Sequence, residues 1–332
     1  MIVDCHVHIS AFTPPNGTMS RRLSHSIPFR FMRWRLGIEG EDAAADRQLE
    51  RTLVEHIEET EKLDAAAVLA FDAVYDREGR RDEARTHLYV SNDYVIELAK
   101  RHRKVLFGAS VHPYRKDAVA EIERCVAAGA VLLKWLPIVQ DFDPSDERCN
   151  SVYEALAHYK LPLLCHTGGE KSLPNLNPHV ADPYLLTPAL RRGVTVIAAH
   201  CGTRSAPNET DFVSHFVRLA HECENCFGDT AALDLPTRSY AYAKVLNDSV
   251  VRRKLVHGSD WPIPAIPPLS HLGPAEDIRL MREKNWLRRD VLIKERLGLD
   301  DAYWHRAATL LRFPAASGAT PAGPAPRATA DA

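Results

Sequence analysis

No apolar run reaches the roughly 18 residues that a membrane-spanning helix needs, so a bitopic or polytopic membrane protein is excluded. The chain opens directly on an apolar stretch, without the basic segment and small-residue cleavage site of a secretory signal, and a cytoplasmic location is expected. Charge of one sign is also lacking. A formal charge of −2, with 26% charged residues, builds no field for nucleic acid, which is not expected as a partner, and the lack of a long apolar run removes a membrane as well. Disulfides find little support: seven cysteines, at positions 5, 125, 149, 165, 201, 223 and 226, are odd in number and scattered. Cys223 and Cys226 form a CxxC, but no second pair or nearby histidine pair completes a structural zinc site, and the plainer reading is a helix end. A glycine-rich phosphate loop after the first strand, the mark of a doubly wound dinucleotide fold, is missing too.

What is present is a repeat of short apolar runs, each followed by a polar stretch with apolar residues at three and four spacing. The strands expected are Met1 to His8, Ala66 to Phe71, Val105 to Val111, Ala130 to Leu136, Pro162 to His166, Val194 to His200, Cys226 to Thr230 and Leu255 to Ser259. Helices are expected over Arg47 to Lys62, Asp117 to Ala128, Asp146 to Tyr159, Phe212 to Glu222 and Tyr240 to Lys254. Gly129 and Gly193 stand just before the fourth and sixth strands, where a helix stops most easily on a residue tolerant of positive φ. Eight alternations within 332 residues predict one α/β domain over residues 1–313: a distorted TIM (β/α)8 barrel with an insertion after the first strand and extra C-terminal helices. The insertion, residues 10–46, carries Arg21, Arg22, Arg30, Arg33 and Arg35 and is expected over the barrel mouth, as a lid or as a packing segment. From Pro314 to Ala332 the composition turns to Ala, Pro, Gly and Thr, and a disordered tail is expected.

The chemistry sits at the strand ends. In Asp4-Cys5-His6-Val7-His8, alternation puts His6 and His8 on one face, toward the barrel interior, and Cys5 and Val7 on the other. An HxH alone is a weak signal. It gains weight from Lys134, His166, His200 and Asp260, each placed where an apolar run gives way to Gly or Pro, because all barrel strands end on one face. Imidazoles and a carboxylate gathered there suit zinc, with manganese or another divalent metal as the alternative. Asp72, His112, Asp229 and Trp261 also stand near strand ends. His112 is either a substrate contact or a loop histidine bonded to backbone, and Asp229 could orient a ligand histidine. Arg33 and its neighbours either bind an anionic substrate or form a solvated cluster.

From Met1 to about Arg312 this pattern resembles the amidohydrolase superfamily, and within it the amidohydrolase 2 group that includes aminocarboxymuconate semialdehyde decarboxylase. The motifs that carry the resemblance are the HxH of His6 and His8, the strand-end His166, His200 and Asp260, the segment GlyAlaValLeuLeuLysTrpLeuPro around Lys134, and the chain end AlaAlaThrLeuLeuArgPhe. The resemblance implies a single ion on His6, His8, His166 and Asp260, with His200 and Asp260 as catalytic proton carriers for metal-activated water. It also implies an alternative. In two-metal relatives the strand-four lysine is carboxylated and bridges two ions, which would put Lys134 and His200 among the ligands. Otherwise the Lys134 ammonium is expected to bind a substrate carboxylate or repel a second cation. Apart from the resemblance, His112, Asp229, Trp261 and Arg33 are candidate substrate contacts from their places near strand ends and in the insertion.

Three functions follow as expectations. The first is hydrolysis of an ester, lactone or amide of a small organic acid. The second is non-oxidative decarboxylation of an aromatic or muconate-type acid on the same metal set. The third is a metal-binding scaffold without chemistry, disfavoured because every expected ligand type is intact. The long insertion and the C-terminal helices offer surfaces for a homodimer.

Overall fold

Residues 1–267 and 272–313 are described by a computed structural model; the tail expected from Pro314 onward lies outside the described residues. The strands are β1 (Val3–His8), β2 (Gly17–Met19), β3 (Ala65–Leu69), β4 (Leu88–Val90), β5 (Val105–Ala109), β6 (Leu132–Trp135), β7 (Leu163–His166), β8 (Val196–Ala199), β9 (Cys226–Asp229) and β10 (Leu255–Val256). Eight of them form one parallel sheet in the order β1-β3-β5-β6-β7-β8-β9-β10, each overlapping an expected strand. The sheet curls until its edges meet. Cys5 N–H donates to the His257 carbonyl at 3.0 Å, Asp260 N–H to His6 at 2.8 Å and His8 N–H to Trp261 at 2.7 Å, which closes the TIM barrel.

Helices cover the outside, among them Ala43–Glu59, Asn92–Arg101, Ala118–Ala127, Asn150–Tyr159 and Val213–Glu222. Gly129 and Gly193 do adopt positive φ, at 94° and 79°. The helix expected over Tyr240 to Lys254 breaks instead at Asp248, whose carboxylate caps Ser249–Arg252 by accepting the Val250 and Val251 N–H groups. Among the described residues, the helices Pro274–Met281, Trp286–Arg296 and Asp301–Leu310 follow the last barrel strand. From the last of these, Ala307 packs with Leu311 against the interior residues Ala67, Leu69, Leu132, Leu164 and Ile197, plugging the end of the barrel opposite the candidate site.

The insertion after β1 is tied down by β2, which pairs antiparallel with β4 from Gly17 opposite Val90 to Met19 opposite Leu88. Its helix Ile27–Leu36 is capped by Ser26 at one end and by Gly37, in the left-handed conformation, at the other. All seven cysteines are free; Cys223 ends the helix Val213–Glu222, and its carbonyl accepts the N–H of Cys226 at the start of β9.

Candidate metal centre

Strict alternation along β1 fails at one point, and the failure shapes the site. The register with β3 shifts between Asp4 and Val7, a bulge that changes the parity of the strand. Val3 and Cys5 therefore join the interior cluster below, while His6 and His8 still point inward above it and Val7 packs outward. Asp4 turns away from the interior, and its Oδ1 accepts the backbone N–H groups of both His6 and Ser259 at 3.0 Å, fastening β1 to the end of β10.

At the mouth, His6 Nε2 lies 3.0 Å from His8 Nε2, and Asp260 Oδ1 lies 3.3 Å from the first and 3.4 Å from the second. Ligand atoms of these three residues all fall within 4.8 Å of one another, the spacing that a single ion would span. His166 and His200 stand beside them, their rings 4.8 Å apart, with His200 5.2 Å from the His6 ring. His166 is not part of the tight trio, but its Nε2 is a buried polar atom without a hydrogen-bond partner. Such an atom beside the trio fits the residue to serve as a further metal ligand.

The tautomers are fixed from behind. His6 Nδ1 donates to Asp229 Oδ2 at 2.7 Å, leaving the Nε2 lone pair for the centre. His200 Nδ1 donates to the Ala231 carbonyl at 2.8 Å, with the same result for its Nε2. Burial, reinforced by nearby Lys134 or Arg238, holds His6, His166 and His200 well below the ordinary imidazole range, so they are neutral and able to ligate. Burial lifts Asp229 to about 7 against the N–H donors of His200 and Ala231. Lys134, 1% exposed, donates to His6 Nε2 at 2.9 Å, and burial depresses its ammonium. His200 and Asp260 both hold the left-handed backbone region, φ 61° and 66°, a strain kept where a side chain must be aimed.

Above the centre lies a pocket. His8, His166, His200 and Asp260 form its floor; Phe29, Met32, Phe71, Leu88, Leu136, Leu173 and Ile263 supply most of its wall. Among the described residues, no lysine or arginine lines it.

Several residues expected at the pocket are elsewhere. Asp229 and Lys134 sit beneath the histidines rather than on the pocket surface. His112 is fully buried in an aromatic cluster with Tyr75, Tyr114 and Phe142, its Nε2 donating to the Gln140 carbonyl at 3.0 Å, which is the backbone-bonded alternative. Trp261 is 1% exposed and donates its indole N–H to His56. Asp72 accepts from Ala73, His112 and Arg115 in a separate polar recess. Arg33 turns to Glu41 at 2.9 Å and to the Gly40 carbonyl, away from the pocket that its helix covers.

Two residues escaped the sequence reading. Glu170 lines the pocket, 3.9 Å from His166 Nδ1; it accepts the N–H of Ser172 and Leu173, and burial raises its carboxyl. Its place four residues after His166, in the loop leaving β7, was the signal available. Arg238, 4% exposed, donates to Thr203 and to the Gly169 carbonyl at 2.7 Å, pinning the loops after β7 and β8. It lies far along the loop after β9, where no motif marks it.

The amidohydrolase family profile, Amidohydro_2, matches residues 3–286. Among solved structures, an uncharacterised TIM-barrel protein from Bordetella bronchiseptica is similar at 18% identity and TM-score 0.56, over 90% of this chain and 99% of that one. A probable 2-pyrone-4,6-dicarboxylic acid hydrolase from Acinetobacter baumannii is similar at 12% identity and TM-score 0.56, over 93% and 98%. 5-Carboxyvanillate decarboxylase from Sphingomonas paucimobilis is similar at 14% identity and TM-score 0.52, over 94% and 99%. At these identities the likeness speaks to the fold. No curated protein matches the chain.

Proposed function

The chain belongs to the amidohydrolase family, and from that premise we propose that it is a metal-dependent hydrolase opening an ester, lactone or amide of a small organic acid. One observation carries the reading: neutral imidazoles and a carboxylate converge under an apolar pocket that, among the described residues, is lined by no lysine or arginine. A substrate held mainly through several carboxylates would need cations on that wall, whereas an uncharged acyl compound would be bound by apolar contact and oriented from the floor.

His6, His8 and Asp260, with His166 as the fourth donor, would hold the ion, and the nitrogen-rich set favours zinc. A divalent ion there would supply Lewis acidity toward the acyl carbonyl and acidify water. The chain's own residues do the rest. His200, its Nδ1 committed to Ala231, offers Nε2 to take a proton from the attacking water and return it to the leaving oxygen or nitrogen. Asp229 keeps His6 in the ligating tautomer. Phe29, Met32 and Phe71 exclude bulk water and position the apolar part of the substrate. Lys134 beside His6 leaves the metal count to decide between one ion and a carboxylated-lysine pair.

The test is turnover by zinc- or manganese-loaded protein on panels of neutral lactones, aryl esters and amides, followed by proton release, beside hydroxybenzoates and muconate-type acids, followed by carbon dioxide release. Hydrolysis that His200→Gln lowers by about 10²–10⁴ supports the proposal. Carbon dioxide release with no hydrolysis on any panel would replace it with decarboxylation, and no turnover on either would leave the scaffold reading.

A further inference from the structure

Between Asp4 and Glu39 there is no carboxylate side chain, yet this stretch holds Arg21, Arg22, Arg30, Arg33 and Arg35 in a chain of formal charge −2. Its helix Ile27–Leu36 is apolar on two sides. Phe29 and Met32 are buried and wall the pocket above the candidate centre. On the opposite side, Ile27, Phe31 and Trp34 are 85%, 45% and 72% exposed, at spacings of four and three that align them on one face. They are three of the six large apolar side chains exposed among the described residues.

The surrounding arginines are largely uncommitted. Arg33 pairs with Glu41, and Asp42 is engaged in capping the next helix. Arg21, Arg22, Arg30 and Arg35 form no ion pair among the described residues, and Arg35 lies 5.7 Å from the centre of the Trp34 ring. A second copy of the chain would cover this face badly. A two-fold contact sets a patch against itself, and here it would bring one arginine cluster against another. A layer both apolar and anionic complements the stripe and the charge together.

We infer that the outer face of the helix Ile27–Leu36 docks on an anionic lipid surface. Ile27, Phe31 and Trp34 enter the boundary between headgroups and acyl chains, and Arg22, Arg30 and Arg35 lie among the lipid phosphates. The sequence expectation of no membrane partner rested on the lack of long apolar runs, which an interfacial helix does not need. Docked in this way, the pocket walled by Phe29 and Met32 stands directly behind the lipid contact, beside a phase in which apolar acyl compounds concentrate.

The five tryptophans make the test selective, because Trp135, Trp261, Trp286 and Trp304 are at most 3% exposed and only Trp34 can change its surroundings on docking. The full chain is titrated with vesicles of phosphatidylcholine containing phosphatidylglycerol, and with phosphatidylcholine alone, following tryptophan emission and co-sedimentation. The expected result is a blue shift and co-sedimentation with the anionic vesicles only, both weakened by salt. Each of Arg22→Gln, Arg30→Gln and Arg35→Gln should weaken binding about five-fold. Phe31→Ser should weaken it roughly ten-fold, with the thermal midpoint unchanged because the side chain is exposed. Absence of a shift with anionic vesicles, or binding untouched by these variants, overturns the inference. A shift that grows with protein concentration alone, in step with dimer mass, would give the face to a second copy, and one elicited by a soluble acidic peptide but not by vesicles would give it to a protein; either overturns it too.

Discussion

The Nδ1 proton of His6 is taken by Asp229, so Nε2 is the lone-pair atom that meets His8 and Asp260. Removing the orienting carboxylate should therefore cost metal without touching a ligand: Asp229→Asn is expected to weaken binding about 10- to 100-fold, read by metal titration against a competing chelator. His6→Ala and Asp260→Ala should lose the ion altogether in elemental analysis. Lys134→Ala should leave the content at one per chain if a single ion is held, and lower it from two if the lysine bridges a pair. Metal content of His6→Ala and Asp260→Ala equal to that of the unaltered chain would remove the assignment of these ligands.

Among the elements, the loops leaving β7 and β8 pack closely, with Gly169 N–H donating to the Thr203 carbonyl and Gly202 N–H to Thr167 Oγ1, and Gly168 lies at their closest approach. Gly168 has φ 82°, and a Cβ built on it would lie 2.1 Å from the Thr203 carbonyl oxygen, so no side chain fits without moving one loop off the other. Gly168→Ala is expected to separate His166 from His200 and to cut turnover more than it lowers stability, which a comparison of kcat with the urea midpoint would show. The insertion helix sets shape rather than chemistry. Phe29→Ala and Met32→Ala enlarge the pocket, and the expected outcome is a shift of preference toward bulkier acyl groups in kcat/KM with metal content unchanged. The arginines of this helix did not reach the centre, because a helix that buries Phe29 and Met32 inward must turn its intervening charged positions outward.

For the whole molecule, stability should depend on pH through a residue remote from the centre. Burial drives His112 down to about 3, with both ring nitrogens satisfied in the neutral form: Nε2 donates to Gln140, and Nδ1 accepts from Tyr114. Unfolded, the same group titrates near 6.5. Its contribution is thus fully present above pH 6.5 and is lost as the pH falls toward 3, by about 1.4 kcal/mol per unit, or about 2 kcal/mol at pH 5. His112→Gln should lessen the slope of urea stability between pH 6.5 and 4 by about 1.4 kcal/mol per unit, leaving the part owed to the buried His6, His166 and His200; an unchanged slope would remove His112 from the acid sensitivity. A second burden lies behind β10, where Lys294 holds Asp290 at 2.7 Å and the Gly258 carbonyl at 2.6 Å, with no exposure. Lys294→Met leaves the buried Asp290 carboxyl without its cation, and a loss of about 3–5 kcal/mol is expected in chemical denaturation. The sequence by itself determined the eight strands, the glycine helix stops and the strand-end histidines, lysine and aspartate, because apolar periodicity and chain-breaking residues are local properties. It even placed residues remote in sequence on one face, since every strand of a parallel barrel ends on the same side. Only the tertiary structure decided the bulge that turns Cys5 inward and Asp4 outward, the arrival of Glu170 at the pocket, the burial of Arg238 between two loops, and the withdrawal of His112, Trp261 and Arg33 from the site. Those outcomes depend on which partners meet across the fold, and the energy that selects them, burial against hydrogen bonding, belongs to the assembled contact and not to either residue alone.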